Sequence, residues 1–172
     1  MTEVTRNVSE LTALEIREHL LSGQESVEEF TVKLGCFIDA ADERIKAFAH
    51  RDDRIVAMQA EQLHRERASG HLPGPLYGVP VAVKDIIDTF DFPTEFGSKI
   101  HEGRFSVCDA TVVSRLRAAG AVIFGKTVTT EFATTQPGPT CNPHNITHTP
   151  GGSSSGSAAA VAAGMVPVAL GS

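Results

Sequence analysis

The chain has no tryptophan, one tyrosine and three cysteines among its 172 residues. Cys36, Cys108 and Cys141 are odd in number, and their spacing fits neither a disulfide framework nor a zinc site. They read as reduced, buried thiols of a cytoplasmic protein. Positive charge is also scarce. Fifteen Lys and Arg against 21 Asp and Glu leave a net charge of -6, which gives no support for direct binding of nucleic acid or a membrane surface. Arg65–Arg67 comes nearest to a basic cluster and reads as a solvated helix face. Long apolar runs are missing. The stretch from Ala158 to Leu170 is too short to span a bilayer and contains Gly164 and Pro167. The start, MTEVTRNVSE, has no apolar core of signal-peptide type. Without such a signal, the acceptor triplets Asn7-Val-Ser9 and Asn145-Ile-Thr147 read as chance matches to the glycosylation pattern.

What is present is the texture of a globular protein, 41% apolar and 21% charged, with the length of one domain. Residues 1–68 read as a helical region. Leu11, Leu14, Ile16, Leu20 and Leu21 recur at helical spacing, and Ser22-Gly23 ends that first helix. Ser26 with Glu29 predicts a capping box for a second helix, whose stripe is Val32, Leu34, Phe37 and Ile38. A third helix is expected from about Arg51 to Arg67. Residues 69–77 are a turn-rich connector. From 78 to 172, strands alternate with helices. Val79–Val83, Ala121–Phe124 and Val166–Leu170 read as buried strands, and 109–119 and 157–164 as helices, with a long loop over 134–151. The expectation is an α/β fold: a mixed, largely buried sheet flanked by helices, with a helical N-terminal region.

One motif is rejected on context. Gly120-Ala-Val-Ile-Phe-Gly125-Lys126-Thr127 fits the phosphate-loop pattern, but a phosphate loop needs a strand before its first glycine and a flexible middle. Here a helix precedes Gly120 and the middle reads as strand. Gly120 is better read as a helix C-cap and Gly125-Lys126 as a strand exit.

Two segments could carry chemistry. Lys84 ends the strand Val79–Val83 on the face shared with Ala82 and Pro80. Burial there would disfavour the ammonium and leave a neutral amine able to act as a general base. Taken alone, Lys84 reads rather as a lysine reaching solvent and pairing with Asp88. The second segment is Gly152-Ser153-Ser154-Ser155, immediately before an alanine-rich helix whose first N–H groups would point over the serines. A flexible linker has this composition too, but does not run straight into a helix and a buried strand. A serine hydroxyl needs a base in contact to react, and Lys84 is a candidate for that base.

Together these segments resemble the amidase signature family of amide hydrolases. Gly78-Val-Pro-Val-Ala-Val-Lys84-Asp85, Gly125-Lys-Thr-Val-Thr-Thr-Glu-Phe-Ala133, Asn142-Pro-His-Asn145 and Thr149-Pro-Gly-Gly-Ser-Ser-Ser-Gly-Ser-Ala-Ala-Ala-Val161 follow the family's blocks in the family's order. The likeness is strong from Pro75 onward and weaker in the N-terminal helices. It implies the amidase signature fold, with Lys84 as the catalytic lysine. Ser153 would be the bridging serine after a cis peptide bond from Gly152, and Ser154 a supporting hydroxyl. Residues near Thr130–Thr134, Thr130 above all, would line the acyl pocket. It implies amide hydrolysis through a Ser-Ser-Lys relay, with no metal and no cofactor. His144 and His148 are then loop residues rather than ligands. The partner it implies is a small amide substrate. The oligomeric state is left open, a homodimer included.

The resemblance places the nucleophile in a Gly-Ser segment that begins just after Ser172. Ser172 matches the hydroxyl residue directly after the strand's Leu-Gly, and Ser155 and Ser157 match helix-entry positions, so none of the three is promoted. The chain is therefore expected to be the N-terminal portion of a longer enzyme, truncated after the third expected strand, inactive alone and poorly stable. Measurable amide hydrolysis by the purified 172-residue chain would contradict this. One alternative is the A subunit of a glutamine-dependent tRNA amidotransferase; another is a non-catalytic remnant. The triple serine with Ser157, and Thr127-Val-Thr-Thr130, resemble small-amide hydrolases more than amidotransferase subunits.

Overall fold

The computed structural model describes residues 8–172; Asn7 of the first acceptor triplet, with the rest of the start, lies outside them. A single 3-10 turn at Val8–Glu10 leads into α1 (Ala13–Ser22), α2 (Val27–Ile45), β1 (Phe48–His50) and α3 (Asp53–Ala68). Then come β2 (Pro80–Lys84), α4 (Thr111–Ala118), β3 (Val122–Thr127), α5 (Ser155–Ala162) and β4 (Val168–Leu170). Helix starts follow the capping chemistry. Ser26 accepts from the Glu29 N–H while Glu29 accepts from the Ser26 N–H, each at 3.1 Å. Thr12 and Glu15 form a second capping box that the sequence reading passed over. Gly23, at φ 76°, closes α1 with its N–H on the Leu20 carbonyl.

The four strands run in the order β1-β3-β2-β4. β2, β3 and β4 are parallel, and β1 is an antiparallel edge. This is the expected mixed sheet with one strand more. β1 lay inside the stretch read as helical. Three residues are too few to show a period-two pattern, and Phe48-Ala49-His50 sits between two strong helices. β3 is also longer than expected: Gly125, Lys126 and Thr127 belong to the strand and do not leave it. That placement removes the phosphate-loop reading. At Gly125 the β2–β3 register skips a residue, φ is +149°, and an added Cβ would lie 2.4 Å from the His50 carbonyl oxygen. Only glycine lets the edge strand β1 approach so closely there.

Apolar residues cover both faces of the sheet. Ala82, Val122 and Phe124 pack with α2, α3 and α5 through Phe30, Leu34, Ile38, Val56, Ala159 and Ala160. Val79, Val81, Val83 and Ile123 pack on the other side against Phe92 and Val113. Two stripe expectations fail at single positions. Val32 and Leu14 face solvent, because the buried positions of α2 are 27, 30, 31, 34, 35 and 38, and those of α1 are Ile16 and Leu20. The same geometry corrects the thiols. Cys36 lies off the buried stripe of α2 and is exposed, Cys108 is exposed in a loop, and Cys141 is half-buried; all three are free. Arg65 is a solvated helix residue, but Arg67 donates to the carbonyls of Leu20 and Leu21 and lies over the Tyr77 ring. Among the described residues no helix is long and apolar enough to cross a membrane.

The part of β3 that β1 does not reach is closed by a side chain. The Gln59 amide on α3 donates to the Ile123 carbonyl and accepts from the Ile123 N–H, both at 2.9 Å. One glutamine thereby copies the pairing of a missing strand. Arg117 holds the same Gln59 oxygen at 2.7 Å, and pairs with Asp91 and Asp109.

Candidate active site

The site forms where the parallel strands end. β2 carries Lys84 at its last position, and the side chain is fully buried. Strand alternation puts Lys84 on the Ala82 face and Asp85 on the other. Burial pushes the Lys84 amine below its ordinary range. Its Nζ lies 2.6 Å from Ser153 Oγ and 2.7 Å from Ser172 Oγ. Asp88 takes no part; Arg104 binds both of its carboxylate oxygens, so the pairing with Lys84 considered from sequence does not form.

The serine segment is held from below by the exit of β3. The Thr130 N–H donates to the Ser153 carbonyl at 3.0 Å. The Gly152–Ser153 peptide is cis. An added Cβ on Gly152 would lie 2.7 Å from Thr130 Cγ2, so the buried Thr130 methyl occupies the space a side chain would need. The Thr130 hydroxyl is turned away and donates to the Thr134 carbonyl at 2.7 Å. Thr130 thus sits behind the serines as a support.

The next helix starts two residues earlier than expected, at Ser155. Its opening N–H groups are not all free. Gly156 N–H is bonded to the Val128 carbonyl at 2.9 Å, which docks the helix start onto β3. Ser155 Oγ donates to the same carbonyl at 3.3 Å. Ser157 donates to the Leu170 carbonyl and meets the Thr127 hydroxyl, each at 2.7 Å, joining β3, α5 and β4. Ser155 and Ser157 are therefore structural hydroxyls, as their helix-entry positions suggested. Ser154 does not touch Lys84. It bonds the backbone of Ser172, accepting from its N–H at 3.0 Å and donating to its carbonyl at 3.1 Å.

On the opposite face lies a second buried charge pair. Lys126 Nζ is 3.5 Å from Asp85 Oδ1 and donates to Thr94 Oγ1 at 2.5 Å and the Pro93 carbonyl at 3.2 Å. Burial pushes Lys126 below its ordinary range and Asp85 above it, and their mutual attraction partly offsets both. Asp85 also accepts the N–H groups of Glu95 and Gly97. Sequence reading missed this pair; a signal existed in two charged residues at apolar strand ends. It also set Ser172 aside as a match to the hydroxyl residue directly after the strand's Leu-Gly, whereas the fold brings its Oγ within 2.7 Å of Lys84 Nζ.

Chemically, a buried amine with a lowered proton affinity, 2.6 Å from a hydroxyl, is placed where it could exchange a proton with that hydroxyl. His144 and His148 are exposed in the loop and far in kind from that work. Among the described residues no group of three or more His, Cys, Asp or Glu is placed to hold a metal ion.

Comparison with known proteins follows the same lines. A family model described as Amidase matches residues 26–172. The A subunit of the glutamyl-tRNA(Gln) amidotransferase of Streptomyces avermitilis is 42% identical over 177 residues, covering 99% of this chain and 35% of that protein. A chain from a vestigial protein complex, tied to the evolutionary origins of an s-triazine catabolic enzyme, superposes with a TM-score of 0.87. It is 40% identical, over 94% of this chain and 37% of its own. The native peptide amidase of Stenotrophomonas maltophilia gives a TM-score of 0.86 at 35% identity, over 93% of this chain and 35% of that one. The chain spans about a third of the length of these relatives.

Proposed function

The chain belongs to the amidase family, and from that premise we propose that it carries the proton-relay half of an amide hydrolase. Neutral Lys84 accepts the Ser153 hydroxyl proton while Ser153 accepts the proton of a nucleophilic serine. The family pattern places that nucleophile in a Gly-Ser segment after the strand equivalent to β4, together with the N–H groups that hold the oxyanion. The activated oxygen attacks a carboxamide carbon and forms an acyl-enzyme, and the relay returns a proton to the leaving ammonia or amine. Water then releases the carboxylate by the same route. The substrate is a small linear amide, the setting is cytoplasmic, and the relay uses no cofactor.

The observation that carries this reading is the 2.6 Å contact between a fully buried Lys84 amine and Ser153 Oγ. Gly152 and Thr130 support it by shaping the backbone behind Ser153. The test is ammonia release from primary carboxamides by the protein expressed from the coding sequence read on past the codon for Ser172. Lys84→Ala and Ser153→Ala should each abolish it. Full activity in either variant overturns the relay.

A second reading is an amidotransferase A subunit, favoured by the name of the relative that is 42% identical over 99% of this chain. Against it stands Thr127-Val-Thr-Thr130, which resembles small-amide hydrolases more than amidotransferase subunits. Ammonia release from glutamine that requires a partner subunit would select this second reading.

A further inference from the structure

The geometry points to a second binding site, at the end of the sheet away from Lys84, that takes a small primary ammonium with an apolar body. It is a groove of about 470 Å3 between the outer face of α3 and the loop that leads from β2 toward α4. Small-molecule pockets span about 300–1,000 Å3, so its size is ordinary for one. Ile55, Met58, Leu63 and Phe90 give the groove apolar walls, and Asp91 and Arg117 give it charge. Ala121, just ahead of β3, also lines it. Lys84 stands at the last position of β2, which runs parallel to β3, so the groove and the relay lie at opposite ends of the strands. The second site does not depend on the relay reading.

A count of charges selects the guest. Two carboxylates, Asp91 and Asp109, face one guanidinium, Arg117, and these side chains are 10%, 8% and 19% exposed. Asp109 is fully engaged: Oδ2 accepts from Arg117 Nε at 2.9 Å, and Oδ1 from the Phe90 N–H at 3.0 Å. Asp91 is not. Its Oδ2 accepts from Arg117 at 2.6 Å, while its buried Oδ1 has no hydrogen-bond partner among the described residues. Arg117 also donates to Gln59 at 2.7 Å, so it cannot turn to serve Oδ1 without releasing a partner. One negative charge is left uncompensated where water does not reach it. Burial pushes the Asp91 carboxyl above its ordinary range, and Arg117 offsets only part of that.

An anion in the groove would be repelled by Asp91, and a neutral apolar guest would leave Oδ1 as it is. An ammonium donates to that oxygen and supplies the missing positive charge, and hydrogen bonds between ions are the stronger kind. The rim does not oppose it. Arg65 stands 4.0 Å from Glu61, and Glu66 accepts from Gln62 at 2.9 Å. Entry is past Phe90. Its ring centroid lies 4.8 Å from the guanidinium carbon of Arg117, yet the residue is 53% exposed. A guest that moves this ring aside uncovers the carboxylate. Its own apolar body then packs against the ring and against exposed Met58.

The probe is phenethylammonium, titrated calorimetrically at neutral pH into the protein expressed from the coding sequence read on past the codon for Ser172. Phenethyl alcohol has the same shape without the charge and should bind about tenfold more weakly. Asp91→Asn keeps an acceptor for Arg117 and removes the charge, and should weaken the ammonium by about tenfold as well. Met58→Lys brings a positive charge to the groove wall from an exposed position, and should also weaken it. Lys84→Ala should leave binding unchanged. Absence of saturable binding overturns the site. Equal affinities for the amine and the alcohol overturn it too, since the groove would then be an apolar surface only. Should Asp91→Asn fail to fold, Met58→Lys decides, and undiminished binding in that variant counts against the site. Binding lost in Lys84→Ala would put the amine at the relay and overturn the second site.

Discussion

Lys84 and Ser153, 69 residues apart in sequence, meet with Nζ and Oγ 2.6 Å from each other. Each arrives by a different route. Lys84 is carried by a five-residue strand buried along its whole length. Ser153 is carried by the turn before α5, whose first residues are tied to the exit of β3. The neighbouring strand β3 joins the two, since Thr127 is the register partner of Lys84 and Thr130 bonds the Ser153 carbonyl. Three segments must therefore be in register before the contact exists.

A buried lysine whose proton affinity is lowered leaves a mark on stability. Below the folded-state midpoint the ammonium is held in an unfavourable place. Between that midpoint and the ordinary value near 10.4, the unfolded chain binds more protons than the folded one. Stability therefore rises with pH through that window. Lys84→Met, which keeps the length and removes the titration, should be inactive, at least as stable at pH 7, and should show a shallower rise toward pH 10. Urea denaturation at a series of pH values checks the slope. A variant less stable than its parent at neutral pH would show that the amine is held by more than burial.

Much of this was legible in the sequence. Buried β-branched runs announced β2 and the core of β3, and Ser26 with Glu29 announced the start of α2. Motif order singled out Lys84, Gly152 and Ser153 as candidates, and Lys84 and Ser153 do meet in space. What was not legible depends on pairing across space. β1 is three residues long and owes its existence to β3. Ser154 was expected to support the relay, and the bonds it makes, to a backbone 18 residues away, could not be foreseen from its neighbours in sequence. Cys36 and Val32 were expected to be buried, and the helix turns both outward. Such facts are set by which face meets which neighbour, and a local pattern does not carry that.

The close approach of Thr130 to Gly152 gives a paired prediction. Gly152→Ala should force the new methyl against Thr130 Cγ2, a contact of 2.7 Å if nothing moves. Overpacking of this kind costs about 1–3 kcal/mol, and here the displaced group is the support of Ser153. Activity should fall with stability. Thr130→Ser removes the offending methyl and keeps the hydroxyl on the Thr134 carbonyl. The double variant should recover most of the lost stability in thermal denaturation. No recovery would mean that the cost lies in the Gly152 backbone.

Gln59 should be worth more than its position on a helix suggests. Gln59→Leu leaves the Ile123 N–H and carbonyl unpaired at a covered sheet edge and frees one arm of Arg117. A loss of about 2–4 kcal/mol is expected for two orphaned backbone groups. The edge should then be open to pairing with another chain. Chemical denaturation measures the first effect, and light scattering at rising protein concentration the second.

The Asp85–Lys126 pair links the back of the sheet to the front. Asp85 binds the N–H groups of Glu95 and Gly97 through its carboxylate, and its own carbonyl accepts from Phe96. The Phe96 carbonyl in turn accepts from Phe132, and Ser98 donates to Glu131 at 2.8 Å. That path ends one residue from Thr130, which supports Ser153. Asp85→Ala should cost about 3–5 kcal/mol, because it strands a buried ammonium. Lys126→Met alone strands a carboxylate that still has backbone donors, so its cost should be smaller. The double variant should be more stable than Asp85→Ala, since the stranded charge is gone. Even so, its loop over 94–98 should exchange amide hydrogens faster than in the parent, because Glu95 and Gly97 have lost their acceptor. Denaturation of all three variants tests the pairing, and hydrogen exchange of 94–98 and 129–134 tests the path. Faster exchange in the first segment with none in the second would confine the effect of Asp85 to its own loop, whereas faster exchange in both would tie it to the placement of Ser153.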